Sequence, residues 1–153
     1  VDHAASAATR SGLNHIGLTV TDLEASVAFY TDVVGMGFFK RGFKTGGDWF
    51  DTLTRNSGAL VDAAYVGYDN VRLQLVQYHE GAGEPSATGH NRAGNLHLCI
   101  DVADVDAKHA EILATGRYNP TRIVEIAGGV ARSFYVEDPD GVPVEFLQRA
   151  DDA

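Results

Sequence analysis

Apolar residues in this chain recur in two rhythms, and the order of those rhythms is repeated. Alternation with period two marks a strand with one buried face, and recurrence at three and four residues marks a helix with one buried stripe. Ile16, Leu18 and Val20 alternate with His15, Gly17 and Thr19, so a strand opens the pattern. Thr21-Asp22 supplies a helix start, and Leu23, Val27, Tyr30 and Val34 keep helical spacing up to a stop at Gly35. Met36 to Phe43 reads as a second strand, and Thr45 to Gly58 as a loop carrying Gly46-Gly47, Trp49 and Phe50. Ala59 to Val66 and Val71 to Tyr78 alternate again around a turn at Gly67 to Asn70.

From Asn95 the order returns. Leu96, Leu98, Ile100 and Val102 alternate with His97, Cys99 and Asp101. The spacing predicts a helix from about Val105 to Thr115, with Val105, Ile112 and Leu113 inward, Lys108 and Glu111 outward, and His109 in solvent. Strands follow at Thr121 to Ile126 and Ala131 to Val136. Asp138-Pro139-Asp140-Gly141 then has the composition of a type I turn before a last strand. The chain reads as an α+β fold of two tandem βαβββ modules forming a cupped mixed sheet with helices outside. The expected organisation is a flexible N-terminus (1–12), module one (about 13–78), a Gly/Ala/Ser-rich linker (79–94), module two (about 95–149) and a short tail (150–153).

Superposing the two copies brings out the chemistry. Leu13-Asn14-His15 aligns with Asn95-Leu96-His97, each His five residues before a Val and seven before an Asp that opens a helix. Val71-Arg72-Leu73-Gln74 aligns with Val142-Pro143-Val144-Glu145. By strand parity His15, Gln74, His97 and Glu145 all point away from the helix-packed face. A lone His on a strand is usually structural; four polar groups at repeat-related positions with one parity point to a metal site. Cys99 shares the face of His97 and is expected beside that site rather than as a ligand. Trp49 and Phe50 suit a hydrophobic plug or a pocket wall equally. Arg92, in the linker, is a further pocket candidate, although the linker's composition suits solvent.

Composition narrows the function. The 153 residues suffice for one domain with a sizeable core, and 44% hydrophobic content is that of an ordinary soluble protein. No apolar run is long enough for a transmembrane helix, and Val1 to Gly12 lacks the apolar stretch of a signal peptide. One cysteine excludes an intrachain disulfide and suits a reducing, cytoplasmic setting. A net charge of −9 argues against nonspecific nucleic-acid binding.

The repeat, the Asn14-His15-Ile16-Gly17 start, Phe29-Tyr30 in a helix stopped by Gly35, and Asp138-Pro139-Asp140-Gly141 before Glu145 resemble the vicinal oxygen chelate superfamily. That group includes glyoxalase I, methylmalonyl-CoA epimerase, extradiol dioxygenases and drug-resistance proteins. The resemblance spans about Leu13 to Arg149. It implies that His15, Gln74, His97 and Glu145 occupy the family's ligand positions. Two imidazoles, an amide and a carboxylate suit one divalent ion such as Ni, Co, Zn, Mn or Fe(II), leaving positions for a small substrate with vicinal oxygens. The expected activity is that of a glyoxalase- or epimerase-like lyase or isomerase, in which Glu145 abstracts a proton to give a metal-bound enolate. The chain departs from the epimerase pattern in having no Glu between Glu24 and Glu80 to act as a second base. An Fe(II) ring-cleaving dioxygenase using His15, His97 and Glu145 is the alternative, and a drug- or metabolite-binding resistance protein is the alternative of another class. Exposed sheet edges further imply a homodimer.

Overall fold

The computed structural model describes residues 12–150. The fraying expected of the N-terminus falls almost wholly on residues outside this range. Eight strands form two four-stranded sheets in the orders β1-β4-β3-β2 and β5-β8-β7-β6. The first sheet comprises β1 (Ile16–Thr19), β2 (Gly37–Gly46), β3 (Leu60–Tyr68) and β4 (Val71–Glu80). The second comprises β5 (Leu98–Asp101), β6 (Val124–Ile126), β7 (Ala131–Glu137) and β8 (Pro143–Arg149). In each, the first strand pairs parallel with the last and the others pair antiparallel, so two copies of one topology stand in tandem. This is the α+β, two-module architecture that the periodicity predicts.

Equivalent residues start the helices. Asp22 caps α1 (Leu23–Ala28) through a bond from Ala25 N, and Asp104 caps α3 (Val105–Ala114) through a bond from Ala107 N. Behind each cap a glutamine of the last strand satisfies one more free amide. Gln77 Oε1 accepts from Leu23 N at 2.8 Å, and Gln148 Oε1 accepts from Val105 N at 3.0 Å. Helix and sheet are thus pinned at the same place in both copies. At Gly67 the strands come so close that a Cβ would lie 2.1 Å from Val71 O, so only glycine fits before the β3–β4 turn.

α1 widens into a π-helical turn, Phe29–Val33. The wider turn lets the adjacent Phe29 and Tyr30 both be fully buried, which a narrow helical stripe does not allow. One apolar cluster runs through both copies, joining Leu23, Tyr30, Leu73 and Leu75 to Val105, Ile112, Phe134 and Phe146. The copies are also tied by polar bonds to the turn before β8. Tyr30 Oη donates to buried Asp138 at 2.9 Å, and Thr21 donates to Asp140 from its amide at 3.0 Å and from its hydroxyl at 2.5 Å.

Three sequence expectations need correction. The segment expected as a loop contains a helix, α2 (Asp48–Thr54), started at Gly47 and buried at none of its residues; its seven residues are too few for a helical period to show. On α3, Leu113 is exposed, while Lys108 lies along the sheet with Nζ 5.5 Å from the Phe146 ring centre. Its alkyl stem covers apolar surface and its ammonium reaches Glu111. His109 is not free in solvent: its ring stands edge-on to Phe134 at 4.8 Å, and Nε2 lies 2.9 Å from Thr121 O.

Candidate metal centre

One register rule builds two half-sites. On the first sheet Gln74 of β4 lies between Gly17 of β1 and Tyr65 of β3. On the second, Glu145 of β8 lies between Cys99 of β5 and Tyr135 of β7. His15 and His97 immediately precede β1 and β5, with the parity that faces Gln74 and Glu145 respectively. Strand pairing over long sequence distance is what sets each imidazole beside its oxygen donor.

In the first half-site Gln74 Nε2 donates to Tyr65 Oη at 2.7 Å, which leaves the carbonyl oxygen as the free end of the amide. A methyl at Gly17 would meet that oxygen at 3.9 Å, an ordinary contact, so Gly17 stands directly beside it. His15 stands edge-on to Tyr65 with ring centres 5.7 Å apart. Its Nδ1 lies 2.7 Å from Asn14 Oδ1; with the proton on that nitrogen, Nε2 keeps its lone pair for a ligand. These groups open into a cavity of about 650 Å³ that is also lined by Lys40, Trp49 and Phe50. Trp49 and Phe50 stand among the residues lining this cavity.

In the second half-site both carboxylate oxygens of Glu145 are held. Ser133 Oγ donates to Oε1 at 2.5 Å and Tyr135 Oη to Oε2 at 2.9 Å. Burial acts to raise the pKa of Glu145, but the bonds from Ser133, Tyr135 and Cys99 and the nearby His97 outweigh it, so its pKa is held below the ordinary carboxylate value. The same contacts push the partners the other way. Burial, then the Glu145 bond, raises the pKa of Tyr135 to about 12, and burial, then the Glu145 charge, raises that of Cys99 to about 11. Glu145 is thus an anion flanked by neutral donors. His97 Nε2 lies 3.9 Å from Glu145 Oε2.

The structure groups the four sequence candidates as two pairs, His15 with Gln74 and His97 with Glu145. Among the described residues no three His, Cys, Asp or Glu side chains gather as a metal-holding cluster within the chain. Each pair offers an imidazole nitrogen and a side-chain oxygen, the donor types a first-row divalent ion takes, and among the described residues a lone pair on Gln74 and on His15 has no partner. Cys99 lies beside Glu145, as its parity predicts. Arg92 stays exposed in the linker, where its amide bonds Gly89 O at 3.3 Å. His90 is the linker residue that reaches the site, 4.6 Å from Tyr135 and 6.1 Å from His97 between ring centres.

Sequence reasoning missed Tyr65, Tyr135, Ser133 and Asn14 as site residues. A signal for the tyrosines was present: Ala64-Tyr65-Val66 and Phe134-Tyr135-Val136 alternate, and parity sets each hydroxyl on the ligand face.

The same chain can be compared with known proteins. It is 29% identical over 141 residues to the lactoylglutathione lyase of Salmonella typhimurium, covering 91% of this chain and 93% of that one. The fold matches a glyoxalase family protein from Bacillus cereus with a TM-score of 0.75 at 18% identity, over 95% of this chain and 99% of that one. It also matches the fosfomycin resistance protein FosX of Listeria monocytogenes, solved with Mn(II) and sulfate, with a TM-score of 0.58 at 20% identity over 92% and 93% of the two chains. A family model covers residues 12–146, and by that match the chain belongs to the Glyoxalase/Bleomycin resistance protein/Dioxygenase superfamily.

Proposed function

We propose that this protein is a divalent-metal enzyme of the lyase or isomerase type, moving a proton on a small molecule that carries two neighbouring oxygens. The observation that carries the reading is the matched pair of half-sites, each with one imidazole and one oxygen donor beside a tyrosine. His15 and Gln74 would hold the ion from one side and His97 and Glu145 from the other. A bound ion supplies Lewis-acid polarisation of the substrate oxygens, which makes the adjoining C–H more acidic. Glu145 is the group that takes the proton. Its carboxylate is ionised at neutral pH, and the Tyr135 and Ser133 hydroxyls orient it. Tyr65 fixes the Gln74 amide so that its oxygen faces the cup.

Because the two pairs lie on different sheets, the reading includes a homodimer in which each centre takes one pair from each chain. Similarity to lactoylglutathione lyases and to a Mn(II)-bound relative supports the metal and the reaction class.

The test is to load the purified chain separately with Ni, Co, Zn, Mn and Fe(II), measure bound metal after dialysis, and follow thioester formation from methylglyoxal with a panel of thiols, glutathione among them. One ion per chain and thioester formation with at least one thiol are expected. A chain that binds metal and forms no thioester with any thiol loses the glyoxalase-type reading. A second reading is Fe(II)-dependent ring cleavage, favoured by His90 and Tyr135 beside His97 as acid–base groups. Oxygen uptake on catechols by the iron-loaded chain would select it.

A further inference from the structure

The two half-sites match, but the cups around them do not. In the second module β6 and β7 are joined by the short turn at Gly128-Gly129, and β6 has 3 residues. In the first, β2 has 10 residues, and α2 is inserted between it and β3. None of the seven residues of α2 is buried, and Trp49 and Leu53 stay 61% and 73% exposed. Apolar side chains left open beside a cavity mark a surface that something apolar covers. Trp49, Phe50 and Leu53 all line the first cavity, so the helix presents this apolar face to the cup.

The floor of the cup is graded. Gln74, Tyr65 and Lys40 form one row across the sheet by register, with Tyr65 partnered by both neighbours. Two residues further along, about 7 Å by strand geometry, the row is Val76 and Ala63, and beyond them lies Val61. One end of the cavity therefore carries the amide, phenol and ammonium, and the other, beneath α2, is mainly apolar, with Thr45 and Tyr78 flanking Val61.

Charge in the polar row comes from Lys40. Its Nζ stands 4.5 Å over the Tyr65 ring, and among the described residues it has no carboxylate partner. Arg41, the other cationic side chain of the lining apart from His15, is bonded to Glu24. Beside Tyr135 in the second module stands Thr121, with no charge: its amide donates to Tyr135 O at 2.8 Å. An exposed ammonium without a carboxylate partner, at the edge of one half-site, is free to receive an anionic group of a ligand.

We infer that the first cup binds the body of a small carboxylate, with its apolar group under α2 and its carboxylate on Lys40. The inference rests on the reading above that the His15–Gln74 end receives the reacting oxygens, and it names the chemistry of the rest of the molecule. A cavity of about 650 Å³ takes a body of this size. Lys40 and α2 are binding groups here and take no part in proton transfer.

The chain has a single tryptophan, Trp49, so intrinsic fluorescence reports directly on this wall. The 153-residue chain is titrated with phenylbutyrate, phenylbutanol and butyrate, once with chelator and once with a divalent ion. Saturable change in Trp49 emission is expected with phenylbutyrate, with affinity about tenfold above that for phenylbutanol and for butyrate. Lys40→Met should abolish the preference for the acid over the alcohol while leaving the alcohol's affinity unchanged, and Lys40→Arg should keep the preference. Leu53→Asp should weaken both phenyl probes. Equal affinity for acid and alcohol, or a wild-type Trp49 that responds to none of the probes, overturns the proposal. So does a silent Trp49 combined with Leu53→Asp turning a dimer into monomers, which would assign the face to a second copy of the chain. The chelator arm needs neither metal nor turnover. A protein that passes there yet binds no ion fails the metal reading alone.

Discussion

Glu145 and Gln74 occupy equivalent positions, yet only Glu145 carries a negative charge and can take a proton at neutral pH. Their neighbours differ to match. Tyr135 and Ser133 donate to an anion, whereas Tyr65 accepts from an amide. Glu145→Gln keeps the shape and an oxygen while removing the charge and the base. Metal binding should weaken but stay measurable, and turnover should fall by roughly 10²–10⁴-fold, the usual loss when an acid–base group is removed. Metal stoichiometry and single-turnover rates check this, and normal turnover would remove Glu145 from the role of base. Gln74→Glu should bind metal at least as tightly and retain substantial activity, because it adds a charged oxygen where a neutral one served. Gln74→Ala separates the two enzyme readings: a four-donor centre loses metal affinity, and a two-His-one-carboxylate centre tolerates the change.

Among the elements, the helical segment Leu23–Val33 and the turn before β8 form an interlock that joins the two copies. Tyr30 is fully buried, and its hydroxyl is one of the donors that hold Asp138, with the amides of Asp140 and Val142. Tyr30→Phe removes a hydrogen bond to a buried carboxylate and should cost about 1.5–3 kcal/mol in denaturant unfolding. Burial raises the pKa of Asp138 above the ordinary aspartate value, against the bonds that lower it. The folded state therefore binds this proton more tightly than the unfolded one. As pH rises from the unfolded aspartate value through the raised folded value, the stability of the wild type should fall relative to Asp138→Asn, whose amide does not titrate. Unfolding midpoints of both proteins across that window check the sign. The same scale shows why α2 escaped the sequence pattern. Its apolar residues Trp49, Phe50 and Leu53 fall within two turns, too short a run for helical recurrence to be told from a loop.

For the whole molecule, the question is which cup meets which. If each centre takes His15 and Gln74 from one chain and His97 and Glu145 from its partner, a His15→Ala chain and a Glu145→Ala chain can complement each other. In a mixed dimer both lesions fall in one centre and the other is intact. Co-expression should then restore metal binding at about a quarter of the sites, the statistical share for random pairing in a two-fold dimer. Sedimentation should show dimers at micromolar concentration. A monomer, or a mixture with no restored sites, would place each centre within a single chain.

Much of this was legible along the chain because it is local. Period-two and helical spacing record which face of each element is buried, so Ile16-Leu18-Val20 and Leu98-Ile100-Val102 placed both first strands and left His15 and His97 on the other face. The repeat made Gln74 and Glu145 comparable before any contact was known. Other features depended on residues far apart in sequence. Tyr65 and Tyr135 became partners of Gln74 and Glu145 only when antiparallel strands fixed the register, and Tyr30 met Asp138 across 108 residues. The tertiary structure also decided that the candidates stand in two pairs on two sheets. Periodicity reports which way a side chain faces, whereas the distance between two faces is set by how the modules pack.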